Sequence, residues 1–225
     1  MRRLSVIVPV LNEEAAITRA LQALQPLRAQ GHEVIVVDGG SRDRTVSAAR
    51  GLADRIDVTQ PGRAVQMNHG ARLADGDALL FLHVDSALPA DAVQAIAAAL
   101  ASGARWGRFD VVIDGRPRIL KLVAMMMNVR SRLTGIATGD QGIFMQRALF
   151  DEAGGYAPIP LMEDVAMSRR LKRLAGRPAC LAARLVTSGR RWEAQGPWRT
   201  IVVMWRLRLA YALGADPARL ARLYR

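Results

Sequence analysis

The feature that most narrows the fold is an alternation in the first hundred residues. Short β-rich apolar runs at Leu4–Val10, Glu33–Val37 and Ala78–Leu82, with a fourth short run over 55–59, are separated by stretches whose apolar residues fall at helical spacing. Glu13–Leu27 places Ile17, Leu21, Leu24 and Leu27 on one face, and Pro89–Leu100 does the same with Val93, Ile96, Ala97 and Leu100. Thr45–Leu52 and Gly62–Leu73 read as two further helices. Strand–helix alternation with short connections predicts an α/β fold built on a parallel sheet covered on both faces. Ligands of such sheets bind outside the carboxyl ends of the strands. The polar clusters Asn12-Glu13, Asp38–Asp43 and His83–Ser86 fall at those ends.

The second half has a different texture. Trp106–Ile113 reads as a strand turning at Asp114-Gly115, Ile119–Leu133 as a helix holding Met125-Met126-Met127, and Gly139–Arg147 as a strand. Glu163–Leu174 and Pro197–Leu213 read as helices. With 51% hydrophobic and 23% charged residues, 225 residues can bury a core, and no internal repeat or low-complexity linker marks a second domain. A single cysteine excludes a disulfide framework and a Cys-rich zinc site; Cys180 lies between Ala179 and Leu181 and is expected to be a buried, inert thiol. Three histidines do not make a His-rich metal centre. The apolar run after Met1-Arg2-Arg3 is too short for a secretory signal, and no run approaches the ~18 residues of a membrane span. The expectation is a cytoplasmic, non-spanning protein.

The net charge of +12 invites a nucleic-acid or membrane-surface reading. The excess is uneven: residues 184–225 carry nine Arg against Glu193 and Asp216. A nucleic-acid partner is not expected, because no fold signature for one is present and aromatics make up only 5%. In the last long helix, Trp198, Ile201, Trp205, Leu209 and Ala212 form one stripe, with Arg199 and Arg206 opposite. The stripe is expected to pack on the domain or to form a homodimer contact, ahead of peripheral contact with the inner membrane.

Three clusters can carry chemistry, and each has a plainer reading. In Asp38-Gly39-Gly40-Ser41-Arg42-Asp43, two glycines let the backbone approach a ligand and Asp38 can accept ribose or base hydrogen bonds; alternatively Ser41 or Asp43 caps a helix. The cluster is neither a dinucleotide fingerprint nor a Walker A loop. His83-Val84-Asp85 puts two ligating side chains on one side of an extended segment, where a divalent cation can bridge phosphates; alternatively Asp85 or Ser86 caps the next helix. Glu163-Asp164 opens a helix, where acids favour the dipole in any case, but a general base at the mouth of the sheet would look the same. Arg63, Arg190 and Arg191 are candidates for phosphates or simply solvated arginines.

The ordered set Val8-Pro9-Val10-Leu11-Asn12-Glu13-Glu14, Val37–Thr45, Gly62–Ala71, His83-Val84-Asp85-Ser86 and Glu163-Asp164 resembles family 2 glycosyltransferases with the GT-A fold. Gly139-Asp140-Gln141-Gly142 and Pro160-Leu161-Met162-Glu163-Asp164 look like a small bacterial subgroup, some of whose members are named for arsenosugar biosynthesis. The resemblance implies a GT-A domain over residues 1–192 and a helical tail over 193–225. It implies that Pro9, Asn12 and Glu13 line a nucleotide pocket, with Asp38, Gly40 and Ser41 at the base or ribose. Arg63 and Asn68 would lie on the donor side, and Asp85 would be the last acid of a D-x-D metal motif whose first position here is His83. Asp164 would be the catalytic base and Glu163 its neighbour, Asp140 and Gln141 would face the acceptor, and Arg190-Arg191-Trp192 resembles the end of a Q-x-x-R-W motif.

The implied reaction is inverting transfer from a nucleoside-diphosphate sugar, a UDP-sugar by expectation, with Mn²⁺ or Mg²⁺ and an open acceptor. Two rival classes are a nucleotidyltransferase on a related sheet and a basic protein binding nucleic acid or an anionic membrane. The first lacks a Gly-rich, Lys-containing loop near the N-terminus.

Overall fold

The computed structural model describes residues 1–224. Its first half follows the alternation: β1 (Leu4–Val10), α1 (Glu14–Ala23), α2 (Gln25–Ala29), β2 (Glu33–Asp38), α3 (Thr45–Ala49), β3 (Arg55–Val58), α4 (Arg63–Leu73) and β4 (Ala78–Phe81). Next come β5 (Ser86–Ala87), α5 (Ala92–Ala101), β6 (Trp106–Asp114), α6 (Ile119–Thr134), β7 (Ile143–Gln146), α7 (Arg147–Glu152) and α8 (Glu163–Ala175). The chain continues through β8 (Ala179–Ser188), α9 (Arg190–Gln195), α10 (Pro197–Ala212) and α11 (Pro217–Tyr224). The strands form one sheet in the order β3-β2-β1-β4-β7-β6-β8-β5. β1 pairs in parallel with β2 and β4, whereas β7 runs antiparallel to both β4 and β6.

Successive strand residues point to opposite faces, and the core divides accordingly. Val6 and Val8 of β1 with Val34 and Val36 of β2 face one side, against Ile17 and Leu21 of α1, Ile96 of α5 and Leu120 of α6. Ile7, Ile35 and Val37 face the other, against Ala64, Met67 and Ala71 of α4, Leu149 of α7, and Met167 and Leu171 of α8. α4 lies so close to the sheet that a side-chain Cβ at Gly70 would sit 2.5 Å from Ile7 Cγ2, so only glycine fits there.

Four expectations change. Ala179–Ser188, not anticipated as a strand, is β8, paired in parallel with β6 through a bulge between Phe109 and Asp110. Gly139–Arg147 is not one strand: Gly139–Gln141 forms a 3₁₀ turn, β7 has four residues, and Arg147 already begins α7. Cys180 is half-buried rather than buried, because it lies on this outer strand. Of the α10 stripe, only Ile201 packs on the domain. Trp198, Trp205 and Leu209 are 70%, 66% and 62% exposed, while Leu207, with Val203, Ala210 and Tyr211, packs against Met162, Val165 and Leu220 in a third apolar cluster. No helix among the described residues is long and apolar enough to cross a membrane.

Candidate active site

The carboxyl ends of β1 and β2 carry two loops knitted to one another. Asp38 is buried, and its carboxylate accepts from the Gly40 N–H (2.8 Å), the Ser41 N–H (2.7 Å) and the Ser41 hydroxyl. Ser41 Oγ in turn accepts from the Asn12 N–H at 2.7 Å, and Asn12 Oδ1 accepts from the Arg42 N–H at 2.9 Å. Asn12 adopts a left-handed φ of 54°, a conformation asparagine tolerates better than most residues. The Glu13 N–H donates to Thr45 Oγ1 (2.8 Å) and the Glu14 N–H to Asp43 (3.1 Å). From α4, buried Gln66 donates its Nε2 to the carbonyls of Val10 and Val37, both at 2.8 Å, and locks the two strand ends together. The Arg44 side chain holds the Glu14 carboxyl below its usual range, and the Thr45 hydroxyl does so for Asp43.

Across the sheet the acids are held differently. The 3₁₀ turn directs the Gly139 N–H at Asp164 Oδ2 (2.9 Å), while Oδ1 accepts from the Val165 N–H at the head of α8 (2.7 Å). Glu163 is buried, and Arg63, at the start of α4, comes within 3.9 Å of its Oε1. His83 Nδ1 lies 3.1 Å from Asp140 Oδ1. These groups enclose a cavity of about 10 Å³ bounded by Arg63, His83, Gly139, Tyr156, Glu163 and Asp164. A Cβ at Gly139 would stand 2.6 Å from His83 Nε2, so glycine lets the turn and the imidazole meet.

Burial pushes the carboxyls of both Glu163 and Asp164 above their usual range, with Asp164 adding to the shift of Glu163 and Asp140 to that of Asp164. Burial acts on Asp140 in the same sense, but hydrogen bonding to His83 and the charges of Arg63 and Arg191 outweigh it and hold that carboxyl low. Burial raises the Tyr156 phenol well above its usual value, with help from Asp164 and Glu163.

Asp85 lies half-buried beyond β4, where its backbone carbonyl accepts from the Ser188 N–H at 3.1 Å. Nearby in the chain order of β8 and α9, Arg190 reaches Glu13 at 3.4 Å, which links the first loop to the far edge of the sheet. No group of three or more His, Cys, Asp or Glu side chains converges as a metal cage among the described residues. A single carboxylate is nonetheless a suitable donor for a hard divalent cation, which commonly takes one or two carboxylates and completes its shell from substrate phosphates and water.

The remaining sequence-selected residues divide. Arg63, His83, Asp140, Glu163 and Asp164 come together, and Arg191 is close enough for its charge to act on Asp140. Pro9 lies within β1, in register with Val37 of β2. Asn68 is engaged with the backbone of Tyr156, donating to its carbonyl and accepting from its N–H, both at 2.8 Å. Gln141 is fully buried; its Oε1 accepts from the Thr138 N–H at 3.2 Å and closes the 3₁₀ turn. Trp192 packs on the core beside Ile201. Phe81, Met67 and Tyr156 line the cavity without having been singled out from sequence. Phe81 sits inside an apolar strand and Tyr156 in a turn-rich stretch, and neither position carries a local mark of function.

A family model described as Glycosyl transferase family 2 matches residues 5–152. A curated relative, the PGL/p-HBAD biosynthesis glycosyltransferase of Mycobacterium bovis, is 35% identical over 102 residues, covering 42% of this chain and 40% of the relative. The chain thus spans less than half the length of that relative. Among solved structures, S. aureus TarS 1–349 in complex with UDP-GlcNAc is similar with a TM-score of 0.66 at 21% identity, over 83% of this chain and 58% of TarS 1–349. The mannosyltransferase PcManGT from Pyrobaculum calidifontis, in complex with GDP-Man and Mn²⁺, gives a TM-score of 0.65 at 25% identity, over 92% and 61%. The α/β sheet flanked by helices is therefore a GT-A fold.

Proposed function

We propose that this chain, which belongs to glycosyl transferase family 2, moves a sugar from a nucleoside diphosphate, uridine diphosphate in the first instance, to an acceptor hydroxyl with inversion at the anomeric carbon. The observation that carries the reading is Asp164: its carboxylate is oriented by two backbone N–H groups and opens on a cavity it shares with Arg63 and His83. Asp164 takes the proton of the acceptor hydroxyl, the acceptor oxygen bonds to the anomeric carbon, and the carbon–oxygen bond to the diphosphate breaks with its electron pair on the leaving group. A carboxyl raised by burial is a better base than an ordinary one at neutral pH, and a positioned base contributes roughly 10²–10⁴-fold.

Arg63 and Arg191 supply fixed positive charge toward the leaving phosphates. A divalent cation, Mn²⁺ or Mg²⁺, held by Asp85 would neutralise the departing diphosphate. The knitted loops around Asn12, Asp38 and Ser41 offer the nucleotide a rigid backbone edge. The Gly139–Gly142 and Pro160–Asp164 segments support placement in the bacterial subgroup with members named for arsenosugar biosynthesis. The reading keeps the protein in the cytoplasm, with the exposed α10 stripe meeting a second copy of the chain or the inner-membrane surface.

A panel of nucleoside diphosphates, scored by the shift in melting temperature with and without Mn²⁺, tests the donor. Stabilisation by one diphosphate, enhanced by Mn²⁺ and losing that enhancement in Asp85→Ala, is expected. Indifference to every nucleotide would remove the proposal. Once a sugar is found, proton NMR of the product reports the anomeric configuration, and retention would overturn the inverting step.

A further inference from the structure

A second cavity, of about 150 Å³, lies between the end of α6, α8 and α10. Its lining includes Thr134, Met162, Val165, Tyr211 and two arginines, Arg169 and Arg208, and no acidic side chain. Several arginines elsewhere in the fold pair closely with acids, among them Arg28 with Asp54, Arg44 with Glu14, Arg55 with Asp75, Arg105 with Glu152, and buried Arg108 with Asp110. Arg169 is held over the Tyr211 ring, 5.3 Å from its centroid, and neither Arg169 nor Arg208 makes an ion pair or hydrogen bond among the described residues. One turn back from Thr134 on the same face of α6, Arg130 keeps Nε and Nη2 buried without partners.

Arg208 is half-buried on this cavity, and desolvation pulls its pKa down, while Arg169 stands exposed at the rim. The planar fork of donors that a guanidinium presents matches a phosphate or carboxylate.

We propose that this cavity is a binding site for a phosphate monoester, gripped by Arg169 and Arg208, and that it receives the phosphate of the sugar acceptor. The assignment to the acceptor rests on the transferase reading; the phosphate site does not. The cavity lies on α8 itself, with Met162 immediately before Glu163 and Asp164 in the chain. An acceptor anchored here by its charged end would have its position set against the same helix that carries the base. Volume favours a monoester over a bare carboxylate, since about 150 Å³ leaves room for the ester link as well as the oxygens. Leu133, Leu209 and Leu213, beside the lining, are 72%, 62% and 80% exposed. Both a soluble phosphoester and a lipid phosphate present the required group, and the two sources separate in the test.

Isothermal titration of the full chain with glycerol 3-phosphate, in the presence of saturating uridine diphosphate and Mn²⁺, reads this site apart from the donor site. Binding is expected, weakened about tenfold or more in Arg208→Gln and in Arg169→Gln, and partly restored in Arg208→Lys. Uridine diphosphate affinity should be unchanged in all three, which also shows that they fold. Equal affinity for glycerol 3-phosphate in wild type, Arg169→Gln and Arg208→Gln would overturn the proposal, as would a loss seen only in Arg63→Gln. If uridine diphosphate itself fails to bind, the same titration run without it still decides the phosphate site, so the two readings fail separately. Sedimentation with phosphatidylcholine vesicles, with and without phosphatidic acid, then identifies the source. Arg208-dependent capture by the phosphatidic acid vesicles supports a lipid phosphate, and binding of glycerol 3-phosphate without capture supports a soluble one.

Discussion

The two ends of the site use the same residue types to opposite purposes. At the β1–β2 end, Asp38, Asp43 and Glu14 are satisfied by the loops around them, and for Asp43 and Glu14 that bonding lowers the carboxyl. At the β7–α8 end, Glu163 and Asp164 stand side by side in a buried setting that raises both. Where hydrogen bonding outweighs burial the carboxyl stays charged; where burial wins, as at Asp164 despite its two backbone N–H partners, it keeps an affinity for protons. On the proposed reading, the first end holds a shape and the second exchanges a proton.

The sharpest way to break this contrast is to remove one acid from each end. Asp164→Asn should lower kcat by roughly 10²–10⁴-fold while calorimetry shows donor affinity unchanged; a parallel fall in donor affinity would make Asp164 a structural residue like Asp38. Asp38→Ala should do the reverse in kind. It leaves the N–H groups of Gly40 and Ser41 without their acceptor, and urea denaturation should show a loss of about 3 kcal/mol. Gly139→Ala drives a methyl into the His83 ring and should cut kcat/KM about tenfold, some 1.4 kcal/mol, with little change in melting temperature, because the clash falls on a side chain.

The smallest effect concerns pH. Because the folded-state carboxyl of Glu163 is raised, native protein binds more protons than unfolded protein between the ordinary carboxyl range and the raised value. Its contribution is therefore fully present below the ordinary range and is lost as pH rises through the raised value. Glu163→Gln should melt about 1 kcal/mol more stably than wild type at pH 8, and show no such gain at pH 3. An equal gain at both values would show that Glu163 is compensated as fully as the acids of the other end.

The strands and the polar clusters that follow them were legible in the residues alone. The strands β1, β2 and β4 are nearly uninterrupted apolar runs because both their faces are buried, and the polar clusters follow them directly. The pairing of Glu163 and Asp164 was equally plain. What the sequence hid depends on surfaces that only the fold brings together. Ala179–Ser188 is half-exposed, contains Arg184 and alternates irregularly, so β8 carried no strand signal. The direction of α10 was misleading because its larger side chains, Trp198 and Trp205, dominate the pattern, whereas its partner surface of Met162, Val165 and Leu220 accepts Leu207. The use of Asp38 as an acceptor for its own turn, and of Gln141 as a closure of the 3₁₀ turn, likewise requires backbone positions that composition does not specify.

Met162 stands at φ 67°, a left-handed conformation that costs a non-glycine residue roughly 1–2 kcal/mol. It is kept there as the residue that launches α8, with its side chain closed in by Leu207 and Leu220. During synthesis the acids at 163 and 164 join the chain before either leucine does. Helix α8 therefore has its start imposed retroactively, by segments made some forty to sixty residues later. A nascent chain could complete its sheet and its β1 and β2 loops and still lack a set Glu163-Asp164 pair, which would arrive as one late event with the docking of α10 and α11.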